Sequence, residues 1–228
     1  AGRGVVEAIG IGIDFKDGDL ALRGNFATLD NEGKIIDRRA GRKIEREDVE
    51  EISKEIEKEI KFSNPNASVV VAPTVGHRVT VRLRDSKPLS SEISNTDPAY
   101  GRIDGMGIAK AVSDFMKIEK CIPLEQTEDA ISAANLVNEF TEQSLEIMKK
   151  SDVNKRRSQK NKKLLNSILL RDAGNKYPNV KPINDLHSMN FSCIVDMPVE
   201  VGISNILKMR TYNAGGLTDY EEKASVAA

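Results

Sequence analysis

The sequence is poor in aromatic residues, histidine and cysteine. Among 228 residues there is no tryptophan, aromatics make up 4%, and histidine and cysteine occur twice each. Two cysteines as far apart as Cys121 and Cys193 exclude a disulfide scaffold and indicate buried, reduced thiols, which makes the cytosol the expected compartment. No apolar run reaches the roughly 20 residues of a membrane-spanning helix, so no membrane partner is expected. A net charge of −1 argues against a whole-protein nucleic-acid footprint.

Catalytic and metal-binding motifs are also missing. His77 and His187 do not stand at zinc-, iron- or paired-metal-ligand spacing from carboxylates or thiols. There is no Gly-x-Ser-x-Gly elbow and no phosphate-binding Walker loop. We therefore predict no catalytic residue and no metal ligand in this chain.

Hydrophobic periodicity predicts an α/β (α+β) protein in which a mixed β-sheet is flanked by helices. Alternating or β-branched runs indicate strands, whereas apolar residues spaced by three and four indicate helices. The predicted strands are Leu20–Thr28 with a return strand at Lys34–Ile36, Ala67–Pro73, Val79–Arg84, Asn166–Leu170 and Met189–Val195. The predicted helices are one within Val5–Ile13, Arg46–Phe62, Thr127–Lys150 and one starting at Pro198.

The segment Leu20–Arg42 carries the clearest binding signal. In an extended strand, Arg23 and Asn25 point away from the face that carries Leu22, because strand side chains alternate. After a turn at Asn31–Gly33, the chain runs into three arginines around a glycine, which are Arg38, Arg39 and Arg42. Guanidinium groups bind phosphate and carboxylate through two parallel hydrogen bonds, so the segment predicts a binding site for a small anion. The alternative is a solvated basic loop that pairs with the acidic helix after it.

Other basic segments allow two interpretations each. Arg78, Arg82 and Arg84 share one face of a strand, either as the basic wall of a cleft or beside acidic residues of neighbouring strands. Arg171 ends a strand before a glycine loop, where α/β sheets bind ligands. The run Lys155–Lys163 could be a nucleic-acid arm, but it lacks the interleaved aromatics that stack on bases, so no nucleic-acid partner is expected.

Six motifs occur in one order along most of the chain. They are Leu22–Thr28, Asp37–Arg42, His77-Arg78, Ile93–Pro98, Val153-Asn154 with Arg157, and Asn166–Gly174. This series resembles the archaeal-type 2,3-bisphosphoglycerate-independent phosphoglycerate mutases of the alkaline phosphatase superfamily. The sequence departs from the family at Asn95, where aspartate is usual, and at Ala99, where histidine is usual.

The resemblance implies a catalytic domain of the phosphatase type that is interrupted by an inserted substrate-binding domain. Residues 1–13 would be a flank of the catalytic domain, residues 14–188 the insert, and residues 189–228 the truncated return segment. The serine nucleophile and the ligands of two divalent metal ions would lie outside this chain, and no 2,3-bisphosphoglycerate would be needed as cofactor. The isolated chain is therefore expected to be inactive.

The function implied is interconversion of 3-phosphoglycerate and 2-phosphoglycerate through a phosphoserine intermediate, with this chain gripping the substrate. The alternatives are a non-catalytic module that binds small phosphorylated acids and another phosphotransferase of the superfamily. His77 and Asp97 would orient groups or relay protons. The expected substrate-binding residues are Arg23, Asn25, Arg38, Arg39, Arg42, His77, Arg78, Asp97 and Arg171.

Overall fold

The computed structural model describes residues 2–103, 106–110 and 116–213. Helices and strands are interspersed along the chain in this part. The helices are α1 (Arg3–Gly10), α2 (Arg46–Glu59), α3 (Glu128–Lys150), α4 (Asp152–Gln159), α5 (Ile183–His187) and α6 (Pro198–Leu207). The strands are β1 (Leu20–Leu29), β2 (Ile35–Asp37), β3 (Ser68–Pro73), β4 (Arg78–Arg84), β5 (Tyr100–Ile103), β6 (Met106–Ala109), β7 (Ser167–Gly174), β8 (Ser192–Val195) and β9 (Arg210–Asn213).

The strand β1 is the centre of a five-stranded sheet. It pairs with β4 along residues 20–25, with β2 at residues 28–29, and with β7 along residues 21–27. The strand β3 lies outside β4. Every pairing in this sheet is antiparallel, so the predicted mixed sheet is wrong in this respect. The parallel pairing that the structure describes joins β8 to β9 in a separate two-stranded sheet.

The alternation along β1 separates a core face from a polar face, as predicted. Leu22 and Phe26 lie in the main hydrophobic core with Ile56 of α2 and Phe140 of α3. All four side chains are almost completely buried, and the core is aliphatic with a few phenylalanines. The helix α3 begins where its N-cap residue was predicted, because the Thr127 side chain accepts the backbone N–H of Ala130.

The first helix lies on the opposite face of the sheet. Val5 and Ala8 pack with Ala21 of β1 in a second small core. Gly4 permits this close approach: a Cβ atom there would lie 2.4 Å from the carbonyl oxygen of Ala21. The helix α1 also packs against α6, so it contacts both the sheet and the C-terminal segment.

Several elements differ from the prediction. The strands β5, β6 and β9 and the helices α4 and α5 were not predicted from the sequence. Cys121 is buried as expected, but Cys193 is only partly buried. The return segment is described as far as Asn213, so its remainder lies outside the described residues. In the ranges given above, no helix combines the length and apolar composition that crossing a membrane requires.

Candidate anion-binding site

A cavity of about 360 Å³ opens on the polar face of the sheet. Seven of its ten lining residues are arginines. The lining residues are Arg3, Arg23, Asn25, Arg38, Arg39, Arg42, His77, Arg78, Tyr100 and Arg171. Eight of the nine residues singled out in the sequence thus line one cavity, and the ninth, Asp97, lies beneath it.

The register of the sheet brings four of these side chains together. Arg23 of β1 stands opposite Arg171 of β7, and Asn25 stands opposite Arg78 of β4. All four lie on the face opposite Leu22, because side chains directly across an antiparallel ladder share a face. Residues from three strands therefore meet at the middle of the sheet, although they are up to 148 positions apart in sequence.

The loop after β2 contributes three more arginines. The Asp37 carboxylate accepts the backbone N–H groups of Arg39 at 2.8 Å and of Gly41 at 3.0 Å. The chain then passes through three residues with positive φ, at Ala40, Gly41 and Arg42. This tight turn, in which glycine relieves strain at the central position, directs Arg38, Arg39 and Arg42 to the cavity.

Asp97 forms the base of the site and is fully buried. Arg38 Nη2 donates to both of its carboxylate oxygens, at 2.8 and 2.7 Å, and Arg171 Nη1 donates at 3.1 Å. The Asp97 backbone N–H donates to the Leu170 carbonyl at 3.1 Å, which ties this loop to β7. Asp97 thus orients two arginines and does not itself line the cavity.

Two lining residues were not among those singled out in the sequence, Arg3 and Tyr100. The guanidinium carbon of Arg171 lies 4.6 Å from the centre of the Tyr100 ring, and that of Arg38 lies 5.3 Å from it. These are cation–π distances. Neither residue had a local sequence signal that would have marked it, although Gly2-Arg3-Gly4 resembles the corresponding part of the mutase family.

Glu7 of α1 brings a buried carboxylate to the edge of the cavity. Its Oε1 atom lies 3.3 Å from Arg23 Nε and 3.6 Å from Arg3 Nε. Burial lowers the pKa of Arg23 to about 10, and Glu7 opposes that shift. Arg23 therefore remains a cation at neutral pH even though only 6% of it is exposed.

His77 is half-buried among cations. Burial, and to a lesser extent the charges of Arg78, Arg39, Arg171 and Arg42, lower its pKa to about 4. At neutral pH the ring is therefore neutral, with one nitrogen that donates and one that accepts hydrogen bonds. A bound anion would oppose the field that these arginines create.

The cavity carries an excess of positive charge. In the part of the chain that the structure describes, its seven arginines meet three carboxylates within ion-pair distance, which are Glu7, Asp97 and Asp172. Arg39 and Arg42 have no ion-pair partner among these residues. Guanidinium groups without a carboxylate partner favour a ligand with more than one negative charge.

The other basic segments have acidic partners. Arg84 donates to both oxygens of Asp19 at 2.7 Å and to Asp14 at 3.0 Å. Of the row of arginines on β4, only Arg78 lines the cavity. The basic run is largely the helix α4 and faces the acids of α2. Arg156 pairs there with Glu51 at 2.6 Å. The acidic helix therefore pairs with α4, and the arginine loop after β2 remains available for a ligand.

The described residues do not supply a metal site. Within residues 2–103, 106–110 and 116–213, no three histidine, cysteine, aspartate or glutamate side chains cluster as a metal ion would require. His77 lies among arginines, and His187 lies against Phe191 at a ring distance of 5.6 Å. The two divalent metal ions that the resemblance implies therefore do not fit these residues.

Comparison with known proteins agrees with the resemblance. A family model described as 2,3-bisphosphoglycerate-independent phosphoglycerate mutase matches residues 1–154. A protein of that description from Aeropyrum pernix is 39% identical over 211 residues, which cover 90% of this chain and 49% of the relative. One from Saccharolobus islandicus is 34% identical over 231 residues, which cover 99% of this chain and 51% of the relative.

A solved structure is similar as well. The cofactor-independent phosphoglycerate mutase from Thermoplasma acidophilum matches with a TM-score of 0.64 and 29% identity, over 98% of this chain and 55% of that one. This chain spans about half the length of the curated relatives that it matches. The chain belongs to the family of archaeal-type 2,3-bisphosphoglycerate-independent phosphoglycerate mutases.

Proposed function

We propose that the protein to which this chain belongs interconverts 3-phosphoglycerate and 2-phosphoglycerate, and that this chain holds the substrate. The observation that carries the proposal is the cavity on the polar face of the sheet, where seven arginines converge with few carboxylates to neutralise them. Phosphoglycerate carries a carboxylate and a phosphate on three carbons. Both groups accept two-pronged hydrogen bonds from guanidinium.

The reaction gives such a site a specific task. The phosphoryl group leaves one hydroxyl and returns to the neighbouring one, so the glycerate must be retained while the phosphoryl group is away from it. Arginines that hold the carboxylate keep both hydroxyls within reach, which contributes to the rate by fixing position and orientation. Arg23 and Arg171 are suited to this because the sheet and buried carboxylates fix them, whereas Arg39 and Arg42 stand free to meet a phosphate.

The neutral ring of His77 suits a different group of the substrate. A neutral imidazole can accept a hydrogen bond from a hydroxyl or donate one to it without adding to the charge. His77 lines the same cavity as the arginines. We therefore assign it to a hydroxyl of glycerate and the arginines to the anionic groups.

We assign the serine nucleophile and the metal ions to a part of the protein outside this chain. Residues 1–13 and 189–228 would belong to that catalytic domain and residues 14–188 to the inserted domain. The packing of α1 against α6 supports a common unit for the two flanks. The buried contact of Glu7 with Arg23 would then link the catalytic domain to the substrate grip.

The test is the substitution Arg39→Met in the full-length enzyme. Arg39 has no ion-pair partner among the described residues, so its removal strands no carboxylate and should leave the unfolding transition in place. A charge-assisted hydrogen bond contributes about 1.5–3 kcal/mol, so we expect kcat/KM for 3-phosphoglycerate to fall about 10–100-fold. The matched control is Arg46→Met, which removes an exposed arginine whose one ion-pair partner among the described residues is Glu50 of α2.

Equal activity of the two variants would contradict the proposed grip. The isolated chain gives a second test, because it should bind 3-phosphoglycerate in calorimetry and form no 2-phosphoglycerate. Turnover by the isolated chain would refute the assignment of the catalytic groups to a part of the protein outside this chain. A full-length protein that binds phosphoglycerate and does not convert it would favour the binding module instead.

A further inference from the structure

Arg38 and Arg171 present a physical problem, because both cations are held by the carboxylate of Asp97. Among the described residues, the one other carboxylate within ion-pair distance is Asp172, 3.7 Å from Arg171 Nε. Both arginines donate to Asp97, at 2.7–2.8 Å and 3.1 Å respectively. Like charges held by the same carboxylate repel, and only 4% of Arg171 is exposed to the solvent that would screen it. The Asp97 carboxylate beneath the pair, with Asp172 near Arg171 alone, does not determine where the free edges of the two guanidiniums point.

The Tyr100 ring contacts the same two arginines. The guanidinium carbon of Arg171 lies over the ring at 4.6 Å from its centre, and that of Arg38 at 5.3 Å. Tyr100 lines the cavity, whereas Asp97 is buried beneath it. The two arginines therefore contact a carboxylate at the base of the site and the ring face of a residue that lines the cavity.

The position of the ring is itself determined by backbone contacts. The Tyr100 N–H donates to the Asp97 carbonyl at 3.2 Å, and the Tyr100 carbonyl accepts from Asn95 Nδ2 at 3.1 Å. One short segment thus carries both the carboxylate and the ring. Asn95 acts here as a donor, which an aspartate at this position would not do when ionised.

We propose that Tyr100 is a positioning residue, whose ring face holds Arg38 and Arg171 side by side so that both can bind one oxyanion of the ligand. The inference rests on the proposed function, since it takes the cavity to be an anion site. The quadrupole of an aromatic ring attracts cations to its face and not to its edge. The ring therefore restricts the orientation of both guanidiniums before a ligand arrives, which lowers the ordering cost of binding.

The experiment compares Tyr100→Leu, which removes the aromatic face, with Tyr100→Phe, which keeps it without the hydroxyl. For Tyr100→Leu we expect the isolated chain to bind 3-phosphoglycerate and inorganic sulfate about 5–30-fold more weakly. Tyr100→Phe should restore binding to within about threefold of the wild type, because the ring face is kept. In the full-length enzyme the loss should be in KM more than in kcat. The matched control is Tyr177→Leu, which removes an exposed tyrosine outside the cavity.

A readout without ligand separates this inference from the proposed function. In the NMR spectrum of the chain, the Nε–Hε signals of Arg38 and Arg171 should carry ring-current shifts that persist in Tyr100→Phe and vanish in Tyr100→Leu. If the wild-type chain binds no anion while these shifts behave as stated, the proposed function fails and the ring contact stands without a ligand role. That outcome overturns the positioning role.

Two further outcomes overturn the inference while the anion site survives. One is equal binding by Tyr100→Leu and the wild type, and the other is a loss in Tyr100→Phe as large as in Tyr100→Leu, which would assign the effect to the hydroxyl. If Tyr100→Leu does not fold, fluorinated phenylalanines at position 100 replace it. Increasing fluorination weakens the quadrupole at nearly constant shape, so affinity should fall stepwise along the series. A flat series would overturn the inference.

Discussion

Replacing Asp97 by asparagine should destabilise the chain more than any surface substitution. Asp97 is 0% exposed and accepts hydrogen bonds from Arg38, Arg171 and the backbone N–H of Ala99. Asparagine has nearly the same shape but no charge. The substitution therefore leaves Arg38 without an ion-pair partner among the described residues. It leaves the almost completely buried Arg171 with only Asp172, 3.7 Å from its Nε.

The magnitude follows from the burial of the pair. Breaking a buried ion pair by removing one partner costs about 3–5 kcal/mol, because an uncompensated charge is left in a poorly solvated place. For a chain of this size we expect the midpoint of thermal unfolding to fall by about 6–20 °C. The double variant Asp97→Asn with Arg171→Met also removes one of the cations. Its loss in free energy of unfolding should be about 0.5–3 kcal/mol smaller than the sum of the losses in the two single variants.

The assay is chemical and thermal unfolding of the isolated chain, followed by circular dichroism at neutral pH. The control is Glu51→Gln, which breaks the exposed pair with Arg156 and should leave the midpoint close to that of the wild type. An unfolding midpoint for Asp97→Asn within about 2 °C of the wild type would refute the argument. So would strict additivity with Arg171→Met, because the two side chains would then not interact.

Three further results are expected. His77 has a pKa of about 4 in the folded chain against 6.5 in the unfolded chain, so the unfolded state binds more protons between these values, and the free energy of unfolding should rise as pH increases from 4 to 6.5. Solvent screening of this half-buried ring reduces the gain to about 1–2 kcal/mol. A His77→Gln variant with the pH profile of the wild type would contradict this expectation. Inorganic sulfate should raise the pKa of His77 in an NMR titration, and an unchanged pKa of His77 would exclude an anion bound beside it. Gly4→Ala should destabilise the chain more than Gly12→Ala, because a Cβ atom at position 4 would lie 2.4 Å from a backbone oxygen of β1. A Cβ atom at position 12 would have no neighbour within 4 Å, so that substitution is opposed only by the φ of +74°. Equal losses of stability in urea unfolding would show that α1 is not closely docked.

The elements that could be predicted from sequence are those whose pattern is local. The helix α2 and the strand β1 follow from their periodicity, because one face of each is buried in the core. The β1–β2 hairpin follows from turn residues that close on Asp30 and Lys34. The strand β9 and the helix α5 carry short, weak patterns, and neither was predicted.

The partners of charged residues could not be predicted in the same way. Arg78 and Arg84 alternate identically on one strand, yet Arg78 lines the cavity and Arg84 pairs with Asp19. The row of arginines left both outcomes open, because an ion pair depends on which side chains the neighbouring strand places opposite. Asp19 lies 65 positions away in the chain.

The sequence by itself determined which face of β1 is polar and which segments carry guanidinium groups, because alternation and composition are properties of the chain alone. Tertiary structure decided that Asp97 lies under Arg38 and Arg171, that the Tyr100 ring contacts both, and that Arg3 joins from the first helix. Each of these contacts joins residues that lie about 60 or more positions apart in sequence or that belong to different secondary-structure elements. Their distances are set by strand register and helix docking, which depend on burial summed over the whole core.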